Sequence, residues 1–309
     1  LGNLAAGEIG FQAVSPVLQR KDVIMQAGID KASLNQWYVL DTEAVIPVGR
    51  SQNRLLGTDL TVFKQADGAI EVFAEGRAEP LPLRHRFGFL WATLGEPERE
   101  IFPLPEADET DRRYVPCGVV TVKASGLRIV ENFLDMAHFP FVHTDVLGAE
   151  PHTEVQGYDV EIRREEDEVW ATNCTFFQPQ AALSAQDGIT TKYMYRVMTP
   201  FTTILYKTCP NATNRWDVIG LFVQPLDPGR CRAHPIMYLI DDVSTTTELI
   251  HFQQMIFLQD RIILENQRPV LLPLEPRKEI PTRADASSIA YRRWLKEKGV
   301  TYGASTVAA

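Results

Sequence analysis

Apolar and polar residues alternate in short runs along most of this chain, and turn-forming residues separate the runs. Alternation with a period of two is the mark of half-buried strands. In the first third it predicts strands over residues 36–40, 54–56, 59–64, 69–74 and 87–93, with Asp67-Gly68 as a tight hairpin turn. These read as a small antiparallel β unit. A stretch rich in proline and acidic residues over 102–111 then reads as a domain boundary. Beyond it come a strand over 118–123 and a helix carrying His138 and His143. Six further strands follow, over 158–163, 168–177, 191–198, 202–208, 216–223 and 232–240. Residues 245–268 read as one long helix, apolar at Ile250, Met255, Ile256, Ile263 and Leu264. Strands in succession flanked by helices describe an α+β arrangement, a curved antiparallel sheet over a long helix with a ligand cavity between them.

Composition narrows the partners rather than the fold. The net charge of -9 disfavours nucleic acid or an anionic membrane surface. Arg84-His85-Arg86 and the basic run over 291–298 are short enough to be solvated faces. No apolar stretch reaches the ~18–20 residues of a membrane span, and the first residues lack the basic start and apolar core of a signal peptide. The chain opens on Leu1 rather than Met, which makes Met25 an alternative start. Cys117, Cys174, Cys209 and Cys231 are far apart and form no CxxC or CxH pair, so they are expected as buried free thiols. The expectation is a soluble cytoplasmic protein.

The chemistry concentrates in residues 131–144, where His138 and His143 stand five apart with Asn132 and Asp135 upstream. A non-haem Fe(II) that activates O2 takes two imidazoles and one carboxylate on one face and keeps its other positions open. Pro140 lies between the histidines and is expected to bend their helix, letting His143 swing back towards His138. Asp135 lies one turn before His138, within reach of a hydrogen bond that would fix the imidazole tautomer. Asp260, on the late helix, could supply the carboxylate; Glu131, Asp145 and Glu265 compete for that place. By spacing alone, a pair of histidines near aromatic residues is also read as packed core.

The segment Asn132-Phe-Leu-Asp135-Met-Ala-His138-Phe-Pro-Phe-Val-His143 resembles the NxxDxxHxxxxH iron motif of the Rieske non-haem iron oxygenases. The similarity is to the branch of monooxygenases and demethylases that act on vanillate, dicamba, carbazole and methylxanthines. Residues 259–269, from Gln259-Asp260, look like that branch's later segment, and residues 285–295 resemble the closing helix of its N-demethylases. Asn35-Gln-Trp37 and Arg86-Phe-Gly88-Phe-Leu-Trp91 are similar to the first and last strands of the family's N-terminal domain. The resemblance implies a helix-grip catalytic domain with Fe(II) held by His138, His143 and Asp260. It implies Asn132 near the metal and Asp135 as the carboxylate linking the iron to a Rieske-cluster histidine of a neighbouring subunit. It divides the chain into an N-terminal extension (1–34), a reduced Rieske-like β domain (35–105), a mononuclear-iron catalytic domain (106–300) and a flexible tail (301–309).

One departure from the family is large. Members carry CxH and CxxH loops in the N-terminal domain, whereas no cysteine here precedes Cys117 and His85 is the only histidine of the region. No [2Fe–2S] cluster is therefore expected in this chain, and His85 is expected on the surface. The leading expectation is an oxygenase component with mononuclear Fe(II) and O2 as co-substrate, hydroxylating or N-/O-demethylating a small aromatic or heterocyclic substrate. Its electrons would arrive from a Rieske- or ferredoxin-type reductase drawing on NAD(P)H, in a homo- or hetero-trimer or hexamer of oxygenase subunits. The alternative is a degenerate, non-catalytic subunit that binds or stabilises an active oxygenase.

Overall fold

The computed structural model describes residues 28–185 and 187–305. Most of the expected N-terminal extension, the alternative start Met25 and residues 306–309 of the tail lie outside the described residues. A single helical turn, α1 (Lys31–Leu34), leads into β1 (Tyr38–Thr42). Then come β2 (Gly49–Leu55), β3 (Thr58–Lys64) and β4 (Ile70–Ala74), which form one three-stranded antiparallel sheet. β5 (Leu83–Arg86) and β6 (Phe89–Ala92) pair with β1 in the order β1-β6-β5. The expected turn between β3 and β4 is present, with Gly68 at φ +94° and the Asp67 carboxylate accepting from Ala69 N at 3.0 Å.

Two strands escaped the alternation rule for a common reason. β5 is Leu-Arg-His-Arg with three exposed positions, and most of β2, Gly-Arg-Ser-Gln-Asn-Arg-Leu, carries no apolar residue. Charged edge strands are held by their ladder and not by burial, so a hydrophobic pattern does not reveal them.

The main sheet has eight strands: β7 (Arg113–Pro116), β8 (Val120–Val122), β9 (Asp159–Arg163), β10 (Glu168–Gln178), β11 (Ile189–Thr199), β12 (Thr202–Thr208), β13 (Trp216–Asp227) and β14 (Arg230–Leu239). Its order is β7-β14-β13-β12-β11-β10-β9, with β8 also on β14. The six predicted strands appear here as β9 to β14, antiparallel throughout. Between β8 and β9 lie α2 (Gly126–Leu134) and the one-turn α3 (Phe139–Val142); after β14 come α4 (Thr246–Asn266), β15 (Leu272–Pro273), α5 (Ala286–Lys298) and β16 (Ala304–Ser305). A capping box between Thr245 and Glu248 starts α4. Its buried positions are Leu249, Gln253, Phe257, Asp260 and Leu264. Met255 and Ile263, expected on the apolar face, are exposed, because the stripe that meets the core runs one to two positions away.

Residues 102–111 do not separate two cores. Phe102 and Leu104 are buried with Trp37, Val39, Phe89 and Trp91 against Phe222 and Ile236 of the main sheet. Leu56 N and Gly57 N also donate to the carbonyls of Pro225 and Leu226, each at 2.8 Å. Residues 301–305, expected in a flexible tail, are packed instead. β16 pairs in parallel with β15, Tyr302 and Ala304 are buried, and Asp30 Oδ2 accepts from Thr301 N and Tyr302 N at 2.8 Å each. The four cysteines are free and buried. Among the described residues no helix is long and apolar enough to cross a membrane.

The junction of the two β layers encloses His234 of β14, which is 0 % exposed and lies edge-on to Phe89, with centroids 5.9 Å apart. Burial, aided by Arg232, pushes its pKa down to about 3. Between pH 6.5 and 3 the unfolded chain therefore binds a proton that the folded chain refuses. The stability is complete above pH 6.5 and is lost as the pH falls towards 3, at up to ~1.4 kcal/mol per pH unit. Urea unfolding at pH 7.5 and 5.5 is expected to show a smaller loss on acidification for His234→Gln than for the unaltered chain. An equal loss in both would remove His234 as the cause.

Candidate metal centre

The centre is assembled by a helix end, a single turn and a long helix. α2 starts at Ser125, whose Oγ accepts from Leu127 N at 3.2 Å. It presses its first residue against the sheet so closely that a Cβ on Gly126 would lie 2.9 Å from Phe201 and Val223. A charged seam ties it in place. Arg128 donates to Glu279 (2.6 Å) and to the Pro269 carbonyl (3.0 Å), while Arg292 of α5 donates to both Glu131 oxygens at 2.5 and 2.8 Å. Glu131 is thus committed to arginine and does not reach the centre.

α2 ends at Leu134, with Asp135 as its extended C-cap. His138 and His143 therefore do not ride on one bent helix, as expected from the sequence; they bracket α3 as its N-cap and C-cap. Pro140 stands in the first turn of α3, where its missing N–H leaves no helical bond unmade. The break after Leu134, and not a proline kink, lets both imidazoles turn to one side.

There they meet Asp260 from α4. His138 Nε2 and His143 Nε2 are 3.2 Å apart, and Asp260 Oδ1 lies 3.3 Å from the first and 3.0 Å from the second. The other ring nitrogens are engaged. His138 Nδ1–H donates to Asp135 Oδ2 at 2.9 Å and His143 Nδ1–H donates to Gln259 Oε1 at 2.8 Å. In the neutral rings that a bound cation requires, both bonds place the free lone pair on Nε2. Asp135 is itself oriented, since its Oδ1 accepts from Ala137 N at 2.8 Å. Gln259 was not identified from the sequence as a site residue. Its only signal was its position immediately before Asp260 on the late helix.

Burial and charge act together here. Burial disfavours the charged form of His138, but the hydrogen bonds and charges of Asp135 and Asp260 outweigh it and push the pKa up to about 9. Burial would raise Asp260, but its bonds to His138 and His143 dominate and bring it down to about 2. Three donor atoms ~3 Å apart in a triangle suit neighbouring positions around one cation at the ~2.1 Å typical of imidazole nitrogen. Two neutral imidazoles and one carboxylate are the donor set of a non-haem Fe(II). Among the described residues, His138, His143 and Asp260 form the group of metal-binding side chains close enough to share an ion. The other carboxylates weighed from the sequence are elsewhere. Asp145 is exposed in the loop after α3, and Glu265 accepts from Lys123 N and Arg261 at 3.1 and 3.0 Å.

His138 and Asn132 border two spaces at once. Inward lies a cavity between α4 and the concave sheet face, lined by Phe133, Phe139, Tyr193, Leu205, Met237 and Phe257 among others. Outward lies a solvent-open groove between α4 and α5, with Asp135 on its wall and Ile263, Ile280 and Ile289 exposed around it. A Rieske cluster, which needs two cysteines and two histidines, does not fit the β unit. His85 is exposed beside Glu43, at 3.2 Å, and every cysteine lies in the later part of the chain.

The vanillate O-demethylase oxygenase C-terminal domain matches residues 122–300. The probable methylxanthine N7-demethylase NdmC of Pseudomonas sp. (strain TJI-51) is 48 % identical over 271 residues, 87 % of this chain and 96 % of that protein. Among solved structures, NdmA of Pseudomonas putida CBB5 with caffeine aligns at TM-score 0.70 and 18 % identity, over 86 % of this chain and 91 % of that one. NdmB of the same organism aligns at 0.69 and 17 %, over 87 % and 92 %. Dicamba monooxygenase with 3,6-dichlorosalicylic acid aligns at 0.68 and 13 %, over 86 % and 97 %. At these identities the solved structures establish the fold.

Proposed function

Because this chain belongs to the Rieske non-haem iron oxygenases, in the branch that shares the vanillate O-demethylase catalytic domain, we propose that it is the oxygenase component of an N-demethylase. Its substrate is a small methylated heterocycle of the methylxanthine kind, and its electrons come from a separate Rieske-bearing reductase. The observation that carries this reading is the position of His138, which faces the inner cavity and, through its 2.9 Å bond to Asp135, the outer groove. In this reading residues 35–105 are a reduced Rieske-like β unit and residues 106–300 the catalytic unit.

His138, His143 and Asp260 would hold Fe(II), which when bound supplies the activation of O2. Asp135 and Gln259 hold the two imidazoles in the tautomer that offers Nε2. Asn132 borders the cavity beside His138, where it would meet substrate. Phe139, tilted against His143 and edge-on to Phe176, lines the cavity wall beside the two imidazoles and would help to exclude water there. In the overall reaction, an N–CH3 group, O2, two electrons and two protons give N–CH2OH and water. The carbinolamine then breaks its C–N bond to release formaldehyde and the N–H product. Asp135 lies on the groove wall, where a partner's cluster can approach, and assembly as a trimer or hexamer of oxygenase subunits is compatible with that open face.

The test is reconstitution. The iron-loaded chain, a Rieske-bearing reductase, NADH and a methylxanthine are expected to yield formaldehyde in step with O2 uptake. Iron-loaded protein that yields no formaldehyde with any such reductase would favour the non-catalytic subunit instead.

A further inference from the structure

The concave face of the main sheet is largely apolar, with the neutral polar Gln178, Thr191 and Thr203 buried on it and one pair of charged residues. Neighbours across the strands share a face, so Tyr193 and Tyr195 of β11, Leu205 of β12, Ile219 and Leu221 of β13, and Met237 of β14 form one wall of the inner cavity. In register with them stand Lys207 on β12 and Asp217 on β13, directly opposite one another and lining the same cavity. They are 7 % and 3 % exposed. Burying both charges in an apolar wall is expensive unless each is well partnered. Yet among the described residues no carboxylate lies within 4.0 Å of Lys207 Nζ, which donates to the Ala181 carbonyl. Asp217 Oδ1 accepts from Ile240 N at 3.2 Å. The Cys209 thiol is a second hydrogen-bonding neighbour of Asp217, and the ammonium and the carboxylate act on each other's charge across the strands; both groups still have hydrogen-bonding capacity beyond these partners.

Their position relative to the metal centre has a direction. Lys207 is the cross-strand partner of Tyr193, whose ring lies 6.3 Å from that of Phe139, the neighbour of His138. Asp217 is one strand further, ~5 Å on. The cavity thus runs from the two imidazoles and Asp260 at one end to an ammonium and a carboxylate side by side at the other.

Resting on the reading above, we infer that Lys207 and Asp217 are the residues that select and orient the substrate, by reading an imide edge. The ammonium donates to a ring carbonyl and the carboxylate accepts the adjacent ring N–H. A fused two-ring heterocycle held by that edge presents the N-methyl group of its other ring to the metal end. An N-methyl on the imide nitrogen itself would leave Asp217 buried against a methyl, with no hydrogen to accept. Burial, which disfavours both charged forms, lowers the Lys207 pKa and raises that of Asp217, and a bound imide edge satisfies both groups in either charge state.

Theobromine and caffeine differ by one methyl at that nitrogen and serve as the probes. Calorimetric titration of the unaltered full chain, without reductant, is expected to show theobromine binding at least ~10-fold more tightly than caffeine. Asp217→Asn is expected to narrow the ratio to within ~3-fold, and Lys207→Met to weaken theobromine by ~10-fold or more. Thermal unfolding and iron loading check that both variants are folded, and the comparison of the two probes on the unaltered chain needs no variant. Equal binding of the two xanthines, unchanged in both variants, would overturn the role of the pair while formaldehyde release still upheld demethylation. Discrimination retained without formaldehyde release would uphold the pair and overturn the reaction.

Discussion

Asp260→Ala is expected to abolish stoichiometric iron binding and, with it, all demethylation. The unaltered chain, loaded with Fe(II) under anaerobic conditions, should hold one iron per chain without sulfide or cluster absorbance. The variant should hold only a trace, because two imidazoles 3.2 Å apart remain with no carboxylate to neutralise the cation. The substitution also acts on the metal-free protein. Asp260 is one of the two carboxylates that hold His138 protonated up to about pH 9. With one removed, the buried imidazole binds its proton less tightly, and the histidine–carboxylate contribution to stability near neutral pH shrinks. That contribution is full below the ordinary histidine pKa and disappears as the pH rises through about 9. Iron analysis after desalting checks the first effect, and thermal unfolding of the metal-free proteins at pH 6 and 9.5 checks the second. An Asp260→Ala protein that keeps as much iron as the unaltered chain would remove Asp260 from the ligand set.

Asp135→Asn is expected to separate holding the iron from using it. The carboxylate accepts two hydrogen bonds at once, from His138 Nδ1–H at 2.9 Å and from Ala137 N at 2.8 Å. An amide has one accepting oxygen, so one of these donors must face an N–H. If His138 is the one that loses its acceptor, the imidazole proton is no longer fixed on Nδ1 and Nε2 loses basicity. Outer partners of metal-bound histidines typically change affinity or activity by ~10–100-fold. At saturating Fe(II) the three proposed ligands are unaltered, so the iron content should match that of the unaltered chain. Turnover with a Rieske-bearing reductase should fall by ~100-fold, since the same residue stands on the groove wall that is proposed to receive that partner. Parallel iron and formaldehyde measurements decide the matter. Full turnover in Asp135→Asn would show that neither tautomer control nor electron delivery depends on the carboxylate.

The long strands were legible because burial on alternate positions leaves a period in the sequence. β9 to β14 match the predicted runs to within a few residues. β5, most of β2 and β7 were not legible; the first two are polar or charged and little buried, and β7 begins two positions after an acid-rich loop. The segment around the histidines was legible as chemistry and misread as structure. The residue types implied two imidazoles and a nearby carboxylate, but only the folded chain reveals a helix that stops at Leu134 and a separate turn between the histidines. On α4, Asp260 lies on the same stripe as Phe257 and Leu264, so the carboxylate proposed as a metal ligand sits where a hydrophobic pattern expects core.

By itself the sequence determined the local part of the centre. His138 and Asp135 are three residues apart, and a bond over that distance is set by one turn of backbone. It also determined that the N-terminal β unit lacks the thiolates a Rieske cluster requires. The tertiary structure decided what depends on distant segments meeting. Asp260, more than a hundred residues from the histidines, is brought to them, while Glu131 is drawn off by Arg128 and Arg292. Lys207 and Asp217 are placed on one wall by strand register. The first two outcomes follow from helices packing against one another and the third from the pairing of strands, and contacts between distant segments leave no period in the sequence from which to read them.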